Sequence, residues 1–236
     1  MLEQLKLLYR AYKYRYQADK SEIAYLLTKV KKGDVAIDVG AHKGGYTYWM
    51  QKAVGDNGKV IAFEPQKVGA ELLQQLFPNA VIENKGLSDK TGTQRFFIQP
   101  QQFNVSFEAS LENKYENAQE VVIETTTLDI YCKENNLDPA FIKIDVEGHE
   151  KEVLSGGEEV LKKYKPIVLI EIEERHIGEE RMREIFSLMA GVGYEGYFFY
   201  KQEKLSISEF KASVHQAREV LERKQEHYCN NFVFEG

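Results

Sequence analysis

The sequence lacks the features of a secreted, disulfide-bonded or membrane-spanning protein. Only two cysteines, Cys132 and Cys229, occur among 236 residues, and they are too few for a disulfide scaffold or a cysteine-based zinc site. No stretch approaches the roughly 18 to 20 apolar residues that a membrane span needs. Residues 1–16 carry charges throughout, unlike a signal peptide. We therefore expect a cytoplasmic protein in a reducing compartment, without a membrane span.

An excess of positive charge is also missing. The 31 lysine and arginine residues stand against 37 aspartate and glutamate residues, which gives a net charge of -6. Such a protein repels the phosphates of nucleic acids, so no nucleic-acid partner is expected. The length and the 43% hydrophobic content fit one α/β domain with a substantial core. The sequence leaves open whether the chain is a monomer or a homodimer.

Residues 1–32 predict a helical segment that precedes the main domain at residues 33–236. Leucines and tyrosines recur at three- and four-residue spacing from Leu5 to Tyr16, which is typical of a helix. In residues 9–16 the tyrosines are interleaved with lysine and arginine. The favoured interpretation is an amphipathic helix packed on the domain with its cations in solvent. The other interpretation is an element that contacts a partner, a membrane surface or a substrate.

Strands and helices alternate from residue 33 onward. Short apolar runs predict strands, and the longer segments between them predict helices. This alternation predicts a mostly parallel sheet with helices on both faces. The predicted strands of this sheet cover residues 35–39, 59–63, 80–84, 141–145, 167–172, 194–200 and 230–235.

The middle of the chain interrupts this alternation. Two further strands are predicted at residues 94–98 and 121–126, and a polar stretch between them, residues 99–120, contains Phe103 and Phe107. Connections of this length are often lids or binding loops. A surface excursion without a function explains the stretch equally well, so both interpretations stay open.

The turn after the first predicted strand indicates the type of cofactor. Asp38 precedes Gly40, Gly44 and Gly45, a spacing that does not match the Gly-x-Gly-x-x-Gly pattern of a dinucleotide site. Glu64 ends the second strand, where a carboxylate accepts both hydroxyls of a ribose. A carboxylate at Asp38 suits an ammonium group. S-adenosylmethionine, which has a ribose and a cationic end, therefore fits better than a nicotinamide dinucleotide.

Carboxylates and a histidine follow the fourth and fifth predicted strands. Asp145, His149 and Glu171 are candidates for the general base that an alcohol acceptor needs, and we favour Asp145 or His149. For His149 itself, an exposed residue in the first turn of the next helix is the slightly favoured interpretation over catalysis. With His176, these side chains also form a weaker candidate for a divalent-cation site. Their spacing is not diagnostic, and we predict no metal.

Several motifs follow one another in a fixed order along residues 33–236. They are Asp38-Val-Gly-Ala41 with Gly44, Ala62-Phe-Glu-Pro65, Gly86-Leu-Ser-Asp89, Thr127-Leu-Asp129, Phe141-Ile-Lys-Ile-Asp-Val-Glu-Gly148 with Glu150, Glu152-Val-Leu154 with Gly156, residues 166–171, and Asn231-Phe-Val-Phe234. In this order the motifs resemble the FkbM-type S-adenosylmethionine-dependent methyltransferases. His149 departs from the family pattern, because alanine or another small residue is common at that position.

The resemblance implies a class I methyltransferase fold, with a Rossmann-like, seven-stranded sheet that is mostly parallel and has an antiparallel last strand. It implies methyl transfer, usually to oxygen, on a small molecule or on a sugar or polysaccharide-type acceptor. The alternative is a non-catalytic binding module that keeps the fold and uses its N-terminal helix to bind a partner.

The resemblance also assigns residues to the cofactor. It implies that the methionine moiety lies near Asp38 and Gly40, the ribose at Glu64, and the adenine near Leu87 and Ser88. The full set implied to contact S-adenosylmethionine is Asp38, Gly40, Ala41, Gly44, Glu64, Pro65, Leu87, Ser88 and Asp145, the last of these beside the reactive methyl group.

Overall fold

The structure is a computed structural model that describes residues 2–98, 109–110, 119–217 and 228–236. Most of the predicted excursion, including Phe103 and Phe107, therefore lies outside the described residues. Within the described ranges, no helix is both long enough and apolar enough to cross a membrane.

The N-terminal segment is helical, as the sequence predicts. Helix α1 (Leu2–Lys13) passes through one π-helical turn (Tyr14–Ala18) and is followed by helix α2 (Lys20–Lys29). The inner face of α1 buries Leu7 and Ala11, so the helix packs on the domain. Single π-helical turns are rare and are often found near functional sites.

The main domain alternates strands and helices. The strands are β1 (Val35–Val39), β2 (Lys59–Phe63), β3 (Val81–Glu83), β4 (Gly86–Leu87), β5 (Gly92–Ile98), β6 (Ala109–Ser110), β7 (Gln119–Thr126), β8 (Pro139–Ile144), β9 (Ile167–Glu171), β10 (Glu195–Tyr200), β11 (Glu203–Ser206) and β12 (Asn231–Glu235). The helices are α3 (Gly45–Val54), α4 (Lys67–Leu76), α5 (Leu128–Glu134), α6 (Glu150–Ser155), α7 (Glu158–Tyr164), α8 (Glu174–Gly191) and α9 (Ala212–His215).

The larger sheet has the order β11-β10-β12-β9-β8-β1-β2-β3. Strands β3, β2, β1, β8 and β9 are parallel, and β12 is inserted antiparallel between β9 and β10. The antiparallel last strand confirms the expected fold. The count of seven strands was wrong, because β11 turns back on β10 and adds an eighth strand at the edge.

The chain leaves β1 towards β2 on one side and later returns to place β8 on the other side. This reversal of strand order makes a crevice at the carboxyl ends of β1 and β8, where open α/β sheets bind ligands. The sheet therefore fixes the position of the site before any side chain is considered.

The predicted strands of the middle region form a second, smaller sheet. Strands β5 and β7 pair antiparallel from Gly92–Thr125 to Ile98–Gln119, and the short β4 runs parallel to β7. The order is β4-β7-β5-β6. Three apolar side chains of this sheet, Leu87, Phe96 and Ile123, are buried. Neither β4 nor this separate sheet was expected from the sequence.

Alternate residues of the central strands face two apolar layers, because side chains of a strand point to opposite sides. Ile37 and Val39 pack in the larger core cluster, whereas Ala36 packs in the cluster formed with α2 and α3. Asp38 therefore falls on the face covered by α2 and α3. This assignment decides what Asp38 contacts in the site.

Candidate active site

The turn after β1 brings the ends of β1 and β8 into close contact. Gly40 has φ +78°, and a Cβ atom there would lie 1.8 Å from the carbonyl oxygen of Asp145. Gly44, also at φ +78°, lies against the ring of Phe77 in the same way. Only glycine fits this backbone conformation and these distances. Gly40 thus brings the ends of β1 and β8 together, and Gly44 lets the turn pack against Phe77.

A cleft of about 690 Å³, its open mouth included, lies at these strand ends. Of the residues expected to contact the cofactor, it is lined by Gly40, Glu64, Pro65, Leu87 and Asp145. The structure thus brings together polar groups from three strands with apolar groups from the smaller sheet. His149 and His42 also line it. Asp38, Ala41, Gly44, Ser88 and Glu171 are not among the lining residues.

Glu64 is held by the backbone rather than by a cation. Its Oε1 accepts the Gln66 N–H and its Oε2 accepts the His42 N–H, each at 2.9 Å. Burial raises the pKa of this carboxyl to about 7, although both backbone hydrogen bonds lower it. Each oxygen retains a lone pair. The carboxylate is thus fixed at the cleft wall and suited to accept two neighbouring hydroxyl groups.

Asp38 is buried beneath the turn instead of facing the cleft. Its Oδ2 accepts a hydrogen bond from the hydroxyl of Thr47 at 2.5 Å, and Asp38 is only 2% exposed. Burial raises the pKa of Asp38 to about 6, while Thr47 and Lys143 lower it. The contact with Thr47 ties the end of β1 to the first turn of α3. In this structure Asp38 therefore orients the glycine turn, and its contact with a ligand stays a prediction.

Ser88 positions His149. The Ser88 hydroxyl donates to Asp89 at 3.0 Å and accepts from the Gln94 amide at 2.8 Å. The His149 Nε2 lies 2.9 Å from the same hydroxyl, within hydrogen-bonding distance. The His149 Nδ1 lies 3.5 Å from a Glu152 carboxylate oxygen. Both ring nitrogens face protein groups, an arrangement that suits a structural histidine better than a proton acceptor.

The sequence interpretation missed Lys143. This lysine is 1% exposed, and its Nζ donates to the Ile144 carbonyl at 3.0 Å and lies 4.0 Å from Asp145 Oδ2. It also lies 5.2 Å from the ring centroid of Tyr46. The available signal was a lysine in an otherwise apolar strand, because a buried ammonium group requires polar partners.

Several buried or partly buried acids surround Lys143, and two of them come from the N-terminal segment. Burial raises the pKa of Asp19, and it raises the pKa of Glu22 to about 8. The positive charge of Lys143 lowers both pKa values. Burial also raises the pKa of Glu171 well above its ordinary value, and Asp145 adds to the effect. We call Asp19, Glu22, Asp38, Lys143, Asp145 and Glu171 the Lys143 cluster. The N-terminal segment is thus built into the interior beside the site.

A smaller pocket adjoins the cleft at Asp145. It is lined by Glu147, Glu171, Glu173 and His176, among others, and the His176 Nδ1 lies 3.4 Å from Glu147. In the part of the chain that the structure describes, no group of three or more His, Cys, Asp or Glu side chains is placed to hold a metal ion. The four side chains considered for a cation site also do not line one pocket, because His149 lines the larger cleft.

Comparisons with known proteins agree with this fold. The model of the methyltransferase FkbM domain matches residues 38–196. The hexuronic acid methyltransferase AglP of Haloferax volcanii is 29% identical over 161 residues, which are 66% of this chain and 63% of AglP. The chain thus spans less than two thirds of the length of this curated relative.

Two solved structures share the fold. The methyltransferase FkbM from Methylobacillus flagellatus KT has a TM-score of 0.53 and 14% identity, over 98% of this chain and 54% of that one. The O-methyltransferase from Bacillus cereus, in complex with SAH, has a TM-score of 0.52 and 10% identity, over 99% of this chain and 90% of that one. These likenesses identify a class I S-adenosylmethionine-dependent methyltransferase fold. Since the family model matches more than half of its length, the chain belongs to the FkbM methyltransferase family, which uses S-adenosylmethionine.

Proposed function

We propose that this protein transfers a methyl group from S-adenosylmethionine to an oxygen of a sugar or a sugar-like small molecule. The observation that carries the proposal is the Glu64 carboxylate, fixed by two backbone N–H groups at the wall of the cleft. It lies at the reversal of strand order, in a chain of the FkbM family. A sugar acceptor is supported by the relative AglP, which is named for hexuronic acid.

The residues of the cleft fit the parts of S-adenosylmethionine. Glu64 suits the ribose hydroxyls, and the apolar groups of Leu87, Phe96 and Ile123 suit the adenine ring. The tight turn at Gly40 lets the methionine part pass close to the backbone. When bound, the cofactor supplies an electrophilic methyl group on a sulfonium. Much of the rate gain in such a displacement comes from alignment of the acceptor.

Among the three candidate bases, Asp145 is the best placed to accept the proton of an acceptor hydroxyl. Its side chain is 37% exposed, and it lines both the cleft and the smaller pocket. Burial raises the pKa of Glu171 well above its ordinary value, and this residue lines the smaller pocket but not the cleft. The Nε2 atom of His149 is already hydrogen-bonded to Ser88, and its Nδ1 faces Glu152. We therefore assign proton removal to Asp145 and orientation to His149.

The test is a methylation assay with S-adenosylmethionine labelled in its methyl group. Acceptors are a set of uronic acids, uronic-acid-containing oligosaccharides and the matching neutral sugars. We expect label in a sugar product that mass spectrometry identifies as the addition of one methyl group, and formation of S-adenosylhomocysteine. Glu64→Gln and Asp145→Asn serve as variants, with Glu71→Gln on the surface of α4 as the matched control.

The variants separate binding from chemistry. We expect Glu64→Gln to bind the cofactor about 100-fold more weakly, whereas Asp145→Asn keeps cofactor binding and loses at least about 100-fold in turnover, as is typical for a general base. Cofactor binding without turnover on any of these acceptors would contradict the proposal and favour a non-catalytic binding module. Turnover that is unchanged in Asp145→Asn would refute the assignment of the base.

A further inference from the structure

The outward face of α1 is apolar. In the described part of the chain, ten large apolar side chains are exposed, and six of them lie in residues 2–16. Tyr9 is 73% exposed, Leu2 65% and Leu5 59%. A soluble domain rarely collects its exposed apolar residues on one helix without a binding partner for them.

The exposed residues share one stripe of the helix. With 3.6 residues per turn, Leu2, Leu5, Leu8, Tyr9 and Tyr12 fall within an arc of about 120°. The buried Leu7 and Ala11 lie on the opposite side, against the domain. The expectation that α1 presents its cations to solvent was therefore incomplete, because the solvent-facing centre of the helix is apolar.

Cations border one edge of this stripe. Lys6 and Lys13 lie next to Leu2 on the helical wheel, and both are exposed. Arg10 follows them and donates to the Lys43 carbonyl at 2.6 Å. Residues 2–18 contain four cations and one carboxylate, although the whole chain has a net charge of -6. An apolar stripe with a basic border is the pattern of helices that lie in the surface of a membrane.

The basic border also lies beside the site. Lys6, Arg10 and Lys13 line a groove together with His42 and Lys43, the residues of the turn after β1. His42 lines the cofactor cleft as well. A surface bound to α1 would therefore lie close to the mouth of the cleft.

We propose that α1 docks on an anionic lipid surface, with its apolar stripe in the interfacial region and its cations near the lipid headgroups. Charge complementarity favours this occupant. In a two-fold dimer built on this face, the basic border would face its own copy, and like charges would meet. An anionic bilayer complements the apolar stripe and the basic border together. The proposal is independent of the identity of the methyl acceptor.

The test is co-sedimentation of the full chain with vesicles of phosphatidylcholine alone, or of phosphatidylcholine and phosphatidylglycerol in equal parts. We expect binding to the anionic vesicles, weaker binding to the neutral ones, and release by salt. The apolar variant is Leu5→Ser with Tyr9→Ser. Its matched control is Val68→Ser with Val122→Ser, two residues that are 64% and 70% exposed elsewhere. The charge variant is Lys6→Gln with Lys13→Gln, matched by Lys67→Gln with Lys133→Gln.

We expect the Leu5 and Tyr9 variant to weaken binding at least about tenfold, because two interfacial apolar side chains are lost. The Lys6 and Lys13 variant loses about tenfold on anionic vesicles at low salt. Circular dichroism and thermal unfolding check that each variant is folded. Three results would overturn the proposal: no vesicle binding by the wild type, equal binding by the Leu5 and Tyr9 variant, or a vesicle-free dimer, measured by light scattering, that this variant dissociates.

Discussion

The two sides of the crevice hold their carboxylates in different ways. On the β2 side, Glu64 is fixed by two backbone N–H groups. On the β8 side, the acids of the Lys143 cluster share one buried ammonium group. Backbone donors do not titrate or move while the fold is intact. The donors that hold Glu64 are therefore set by the fold itself, whereas the acids of the β8 side are held by one charged side chain.

The largest effect is expected on the β8 side of the crevice, where Lys143 lies among the acids. Lys143→Met keeps much of the side-chain volume but leaves the surrounding acids without a cation. We expect a loss of about 3–5 kcal/mol in the free energy of unfolding at pH 8, as for other buried ion pairs that lose one partner. The loss is smaller at pH 5, because the acids then take up protons. Denaturant unfolding at both pH values measures it.

Lys133→Met, on the exposed surface of α5, is the matched control for this variant and is expected to change stability little. An equal loss from Lys143→Met at both pH values would mean that packing, and not charge, sets the role of Lys143. That result would remove the difference between the two sides of the crevice.

The next largest effect is expected on the β2 side of the crevice, where backbone N–H groups hold Glu64. Glu64→Gln turns an amide N–H₂ towards a backbone donor and removes the charge that accepts the ribose hydroxyls. We expect about 100-fold weaker binding of S-adenosylmethionine, since hydrogen bonds to charged groups contribute about 1.5–3 kcal/mol each. Isothermal titration calorimetry measures it. Binding within about threefold of the wild type would show that the ribose lies elsewhere.

A third effect is the pH dependence of stability without cofactor. Burial raises the pKa of Glu22 to about 8 and that of Asp38 to about 6. The folded state thus binds more protons than the unfolded state between about pH 4 and 8, so its stability falls as the pH rises. Glu22→Gln is expected to flatten this decline. Thermal unfolding from pH 5 to pH 8 checks it, with Glu71→Gln as a control that keeps the wild-type slope.

The smallest effect is expected at His149. Glutamine in its place can still hydrogen-bond to Ser88, so His149→Gln is expected to change turnover by less than about tenfold and to leave the pH profile of kcat in place. A general base is typically worth about 10²–10⁴-fold. Loss of a titration step from the kcat profile in this variant would return His149 to the role of proton acceptor.

The sequence predicted the β2 side of the crevice better than the β8 side. Strands β1 and β2 begin and end where the apolar runs predicted, and Glu64 was found because a strand end determines its position. Features of this kind depend only on residues that are neighbours in the sequence. The parallel arrangement followed from the alternation of strands and helices, and the antiparallel last strand followed from the family resemblance.

Lys143, Asp19 and Glu22 were missed because their meeting depends on how a distant segment packs. Asp19 and Glu22 lie before the first strand, and only the placement of α2 against α3 and the sheet buries them near Lys143. Likewise, the hydrogen bond between Asp38 and Thr47 was missed, because it depends on which face of β1 is covered by α3. Which face of β1 each residue occupies required the positions of the covering helices.

A crystal structure with S-adenosylhomocysteine tests the division of the crevice most directly. We predict the two ribose hydroxyls within hydrogen-bonding distance of the Glu64 carboxylate, the adenine beside Leu87 and Phe96, and the sulfur directed towards Asp145. A ribose away from Glu64, or a sulfur directed away from Asp145, would contradict it.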